Sequence, residues 1–189
     1  MARLQEKYDR EVRPALMKKY GLDNVLAAPR LDKIVVSMGV GVREGDNKER
    51  LAAAGEHLAT VTGQKPTVTK SKKSVSAFKL RQGMAVGQKV TLRGKRMYEF
   101  LDRLVSIAMP RIRDFRGLPA EGFDKTGNYN MGLAEQNVFP EIPVDKIQFT
   151  QGMNIAMVIV NSDDEKSFEL LKAFGMPFQR AASETRSES

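Results

Sequence analysis

Apolar residues recur along this chain with two spacings, three to four residues in some stretches and two in others. Leu4, Tyr8, Val12, Leu16 and Tyr20 lie about one helical turn apart, which predicts a helix over residues 2–20, with Pro14 breaking or restarting it and Gly21 stopping it. Leu51, Ala54, Leu58 and Val61 predict a second helix over Asn47–Val61, with Asp46 as N-cap and Gly63 as its end. Met97, Phe100, Leu101, Leu104 and Ala108 form the clearest helical stripe, predicting a helix from Arg96 to Met109 that Pro110 stops. A last helix starts in the acidic run 161–165, continues through Phe168, Leu171 and Phe174, and ends at Gly175. Strands are predicted at Leu31–Met38, Thr67–Thr69, Val86–Arg93, Gly127–Leu133 and Asn154–Val160. Ser71–Ala85 and residues 110–126 follow neither period and read as long exposed loops. Helices and strands mix without regular βαβ alternation. The expectation is one α+β domain over residues 1–180, a twisted, largely antiparallel sheet with flanking helices and a long protruding basic loop. Residues 181–189 read as a disordered polar tail.

Charge sharpens this picture. The chain has 189 residues and a net charge of +8. The stretch from Lys65 to Arg96 carries ten basic residues and no Asp or Glu, which leaves the remainder at −2. An excess confined to one segment points to a polyanionic partner. Within it, the alternation over Val86–Arg93 puts Lys89, Thr91 and Arg93 on one face and Val90 and Leu92 on the other. Such a row of cations and a hydroxyl suits phosphate contact. Arg111, Arg113 and Arg116 surround Phe115. They suit either stacking and pairing with RNA or ion pairs with Asp102 and Asp114, and the sequence leaves both open.

Catalytic and metal chemistry find little support. There is no cysteine, so no disulfide or thiolate site, and the one histidine, His57, reads as a half-exposed structural residue. Gly39-Val40-Gly41 with Gly45 has the spacing G-x-G-x-x-x-G, one residue too long for a dinucleotide fingerprint, and reads as a turn where another backbone, RNA included, comes close. Asp163, Asp164 and Glu165 read as a helix cap rather than a carboxylate pair. No apolar run approaches the ~20 residues of a membrane span, and the N-terminus lacks the features of a signal peptide. A cytoplasmic, non-enzymatic protein without cofactors or metal is expected, with no membrane partner.

Several strings, in order, resemble one family. They are SMGVG (37–41), GQKP (63–66), KSVSAFKLRQGM (73–84), TLRGKRMYEFLDRL (91–104), PRIRDFRG (110–117), GNYNMG (127–132), FPEI (139–142) and AFGMPF (173–178). Together they resemble bacterial large-subunit ribosomal protein five over about residues 3–180. The resemblance implies a structural constituent of the large ribosomal subunit that binds 5S rRNA in the central protuberance. It implies large-subunit rRNA and neighbouring large-subunit proteins as further partners. It also implies contact with peptidyl-site tRNA through an extended loop, and a bridge to small-subunit protein thirteen. The 5S surface so implied comprises Ser37, Met38, Gly39, Val40, Gly41, Gln64, Lys65, Thr91 and Arg93. The tRNA loop comprises Lys72, Lys73, Ser74, Val75, Ser76, Ala77, Phe78, Lys79 and Arg81. Residues 110–145 are implied for the bridge, with Arg111, Arg113 and Arg116 as further RNA or bridge contacts. The chain departs from the family at Ser37, where Asn is usual, and in the residues after Arg180. A non-ribosomal RNA-binding assembly factor is the alternative reading.

Overall fold

A computed structural model describes residues 2–41, 47–143, 145 and 147–179. The expected cap Asp46, the end of the glycine turn at 42–45 and the tail 181–189 lie outside the described residues. Five strands form one sheet: β1 (Arg30–Gly39), β2 (Thr67–Lys70), β3 (Ala85–Leu92), β4 (Tyr129–Leu133) and β5 (Met153–Val160). Their order is β2-β3-β1-β5-β4 and every pair is antiparallel. The helices are α1 (Arg3–Lys7), α2 (Arg13–Tyr20), α3 (Asn47–Thr62), α4 (Gly94–Arg103) and α5 (Asp164–Ala173).

Period two decides which sheet face is dry. Ile34, Val36 and Met38 of β1 pair across with Leu92, Val90 and Gln88 of β3. Ile34 and Val36 also face Met157 and Ile155 of β5, which in turn face Tyr129 and Met131 of β4. All of these side chains are buried, and α3 and α4 pack on the same side with Leu58, Val61, Phe100, Leu101 and Leu104. The amide of Gln88 would be costly there unpaired, and its Nε2 donates to the Leu51 carbonyl at 2.6 Å. Aromatic rings close the far end: Phe123 lies 4.7 Å from Tyr129, and Phe168 lies 4.6 Å from Phe178.

Pro14 restarts the first helix, one of the two outcomes its position predicted: a π-helical turn, Tyr8–Val12, precedes it and α2 begins at Arg13 with the proline in its first turn, so the helical path runs from Arg3 to Tyr20. Two expectations need correction. The helix foreseen from Arg96 starts at Gly94 and continues past Arg103 through a π turn, Leu104–Ala108. His57 is buried, not half-exposed, at 9% exposure. It stands three residues after Ala54 and four before Val61, on the same apolar stripe.

Burial lowers the His57 pKa from its ordinary 6.5. The unfolded chain therefore takes up a proton at His57 before the folded chain does. Stability falls as the pH drops through about 6.5 toward the folded value. Urea melts of the wild type and of His57→Gln across that window check this, and the variant should lose less stability on acidification.

Candidate nucleic-acid interface

Among the described residues no helix covers the second sheet face, and the strand registers give it two rows. The first runs Thr67, Lys89, Ser37, Asn154 and Gly132 from β2 to β4. The second runs Thr91, Val35, Ala156 and Asn130. At about 4.8 Å between strands, the five-strand first row is about 19 Å long and the four-strand second row about 14 Å. Neither row contains a carboxylate. A shallow depression lies between Ser37, Asn130 and Asn154. At the end of β1, Gly39 pairs with Gly87, leaving bare backbone on this face. A Cβ on Gly87 would meet the Met38 carbonyl oxygen at 2.5 Å, so the two strands could not approach this closely with any other residue.

Cations collect at the β2–β3 side. Lys65, Lys89 and Arg93 are exposed, and none is ion-paired among the described residues. Lys65 is set by the turn after α3, where Gly63 takes φ +64°. Gln64 Nε2 donates to the Thr91 carbonyl at 3.4 Å, which ties that turn to the end of β3. Arg93 has left the strand and stands at the N-terminal boundary of α4.

The 5S surface implied by the resemblance is only partly one surface. Ser37, Gly39, Thr91, Lys65 and Arg93 lie on or beside the open face. Met38 and Val40 do not: both side chains are in the core, at 1% and 7% exposure. A contiguous string carried onto a strand ignores that alternate residues point oppositely. The backbone N–H groups of Val40 and Gly41 are also committed, each donating to the Val86 carbonyl at 3.0 Å. Asn130 and Asn154 were missed, although period two in GNYNMG and in the strand from Asn154 places both outward. Asn154 stands directly across from Ser37.

Ser71–Ala85 is exposed over Lys72–Lys79, yet it is not featureless. Val75 and Leu80 exchange both backbone hydrogen bonds at 3.0 Å. Ser71 N–H donates to the Met84 carbonyl at 2.8 Å, and Gly83 N–H to the Ser71 carbonyl at 3.0 Å. Ser74 Oγ accepts from the Gln82 N–H at 3.0 Å. The segment is thus a pinned extension of the β2–β3 hairpin. Its tip is a 3-10 turn, Ser76–Phe78, followed by Lys79 at φ +51°. Lys72, Lys73, Lys79 and Arg81 project from it, with Phe78 at 70% exposure.

Arg111, Arg113 and Arg116 are exposed on the opposite side of the molecule's sheet order, beyond β4. Neither suggested carboxylate is their ion partner: Asp102 accepts from Arg3 Nε at 3.1 Å, and Asp114 pairs with no described cation. Among the described residues no group of three or more His, Asp or Glu could hold a metal ion, and no helix is long and apolar enough to cross a membrane.

Two family models match the chain. Ribosomal protein L5 covers residues 24–81, and the model for the C-terminus of the same ribosomal family covers residues 85–178. The first contributes β1 and β2 and the second β3, β4 and β5, so the two segments share one sheet. Large ribosomal subunit protein uL5 of Moorella thermoacetica is 54% identical over 179 residues, 95% of this chain and 99% of that protein. The uL5 of Alkaliphilus oremlandii is 54% identical over 180 residues, 95% of this chain and all of that protein. The uL5 of Streptococcus thermophilus is 52% identical over 178 residues, 94% of this chain and 98% of that protein. With both halves matched and its relatives spanned nearly end to end, this chain belongs to the ribosomal protein L5 family, whose members are structural, non-enzymatic components of the large ribosomal subunit.

Proposed function

We propose that this large-subunit protein binds 5S rRNA on the open sheet face and helps to anchor it in the central protuberance. The observation that carries this reading is an uncovered face whose two central rows hold no carboxylate, the longer of them about 19 Å, edged by Lys65, Lys89 and Arg93, none of them ion-paired among the described residues. A rigid, flat and polar surface suits the shallow minor groove and sugar-phosphate backbone of folded RNA, where shape and 2′-hydroxyls are read more than base edges. Ser37, Asn154 and Asn130 supply hydroxyl and amide groups at its centre. The amide of Asn154, one strand over, stands close to where the family's usual Asn would place its own. Met38 and Val40 serve this face from behind, by packing β1 against the helices.

The pinned hairpin is the proposed contact to peptidyl-site tRNA, through Lys72, Lys73, Lys79 and Arg81 at its sides and Phe78 at its tip. Cations on a short projecting frame meet phosphates irrespective of sequence, as a surface that must accept every tRNA requires. Residues 110–145 are the proposed bridge to small-subunit protein thirteen.

Hydroxyl-radical footprinting of 5S rRNA tests the first reading. Adding the protein should protect a continuous block of riboses, and the block should shrink with Lys89→Ala. An unprotected 5S rRNA at saturating protein would overturn it.

A further inference from the structure

On its β5 side, the glycine turn at the end of β1 is held by a side chain and not by a strand. β1 keeps β5 as its neighbour as far as Ser37, which lies across from Asn154, and the ladder between them goes no further. Two residues on, a glutamine takes the place that the strand gives up. Gln151 Nε2 donates to the Gly39 carbonyl at 2.7 Å, across 112 positions of sequence. The segment carrying Gln151 is itself held. Gln136, in the 3-10 turn after β4, is only 1% exposed, and its amide is closed at both ends. Its Nε2 donates to the Phe149 carbonyl at 2.6 Å, and its Oε1 accepts from the Gln151 N–H at 2.6 Å. A buried amide needs both partners, so these bonds fix residues 149–151 against the end of β4.

The same segment grips the chain again beyond the turn. The Arg50 guanidinium, near the start of α3, stands 4.2 Å from the centre of the Phe149 ring. Residues 149–151 therefore hold Gly39 before the turn and Arg50 after it. The turn has few groups of its own to offer RNA. Met38 and Val40 point into the core, the Val40 and Gly41 N–H groups are spent on Val86, and the Gly39 carbonyl is spent on Gln151. What remains is the outline of bare backbone. A Cβ at Gly39 would have no described atom within 4 Å, so the backbone there stands open to a partner. An outline can be recognised only if it is fixed in place beforehand.

We propose that Gln151 and Gln136 are positioning residues for RNA binding. Gln151 sets the angle at which the Gly39–Gly41 turn leaves β1, and Gln136 holds Gln151 in place from inside the protein, so that an RNA backbone can lie against Gly39. This role presupposes 5S rRNA on the open face, and it brings in two residues from outside the strands that build that face. Neither side chain carries a charge. Their contribution is to the fit, while Lys65, Lys89 and Arg93 supply the attraction for phosphate.

Two uncharged substitutions of similar size test it. Gln151→Met removes the donor to Gly39, and Gln136→Met releases Gln151 from a buried position that RNA cannot reach. Each should weaken 5S rRNA binding about tenfold. The slope of log K against log salt should stay as in the wild type, because no cation is lost. In the hydroxyl-radical footprint both variants should unprotect the same riboses at one end of the block. In the free protein the amide resonances of Val40 and Gly41 should shift in both. Unchanged 5S affinity in Gln151→Met would overturn the proposal, as would Val40 and Gly41 resonances that do not move in that variant. A Gln136→Met protein that folds and binds as the wild type does would also overturn it, since Gln151 would then act by touching RNA itself. If Gln136→Met does not fold, the affinity and resonances of Gln151→Met decide alone. A wild-type protein that leaves 5S rRNA unprotected would remove the open-face reading as well, which separates the two failures.

Discussion

Replacing Lys89 and Arg93 together by alanine is expected to weaken 5S rRNA binding roughly 100-fold at physiological salt. A hydrogen bond to a charged group contributes about 1.5–3 kcal/mol, and about 1.4 kcal/mol is a factor of ten. Two such bonds at the lower figure therefore give about two powers of ten. The salt dependence makes the result specific. Each phosphate left without its cation takes about 0.7–0.9 off the slope of log K against log salt, so the pair should flatten it by about 1.4–1.8. Filter binding across about 50–200 mM salt reads both quantities. Stability is not at stake, because both side chains are exposed and neither is ion-paired among the described residues. Thermal melts should therefore overlay. A weakened complex with an unchanged slope would mean that neither cation meets phosphate, and the open face would lose its assignment.

That face was half legible before the fold was known. Alternation over Val86–Arg93 placed Lys89 and Thr91 outward, and the strand does so, because period two within one strand is a local property. What lay across from Lys89 was not local. Thr67 comes from 22 residues earlier in the chain and Asn154 from 65 residues later, and only the register brings them to one row. Met38 and Val40 were assigned with their neighbours because a motif is read as a string, whereas a strand divides it between two faces. The hairpin shows the complementary limit. Its composition correctly marked an exposed cationic segment. Its order comes from the Val75–Leu80 backbone pair and the Ser74 hydroxyl, and no hydrophobic period reports such bonds. Arg3 and Asp102 are a third case: their pairing spans 99 positions and took away the carboxylate proposed for the arginines at 111–116.

The hairpin's order matters for the second large effect. Replacing Lys72, Lys73, Lys79 and Arg81 by alanine is expected to speed tRNA loss from the peptidyl site at least tenfold. Removing one charge-assisted hydrogen bond of about 1.5 kcal/mol is enough for that factor. The frame should survive, because the backbone pairs and the Ser71 and Ser74 hydroxyls pin it, and these are untouched by the substitutions. Melting temperature and 5S rRNA affinity should therefore remain as in the wild type, the latter within about twofold, since independent sites add. Filter retention of tRNA on washed ribosomes reads the loss, and isolated 5S binding reads the control. Set beside the Lys89 and Arg93 pair, the result forms a cross: one variant lowers 5S affinity, the other tRNA retention. A hairpin variant whose 5S affinity collapses would join the two cationic surfaces into one 5S site, and the projecting frame would have to be explained by rRNA alone.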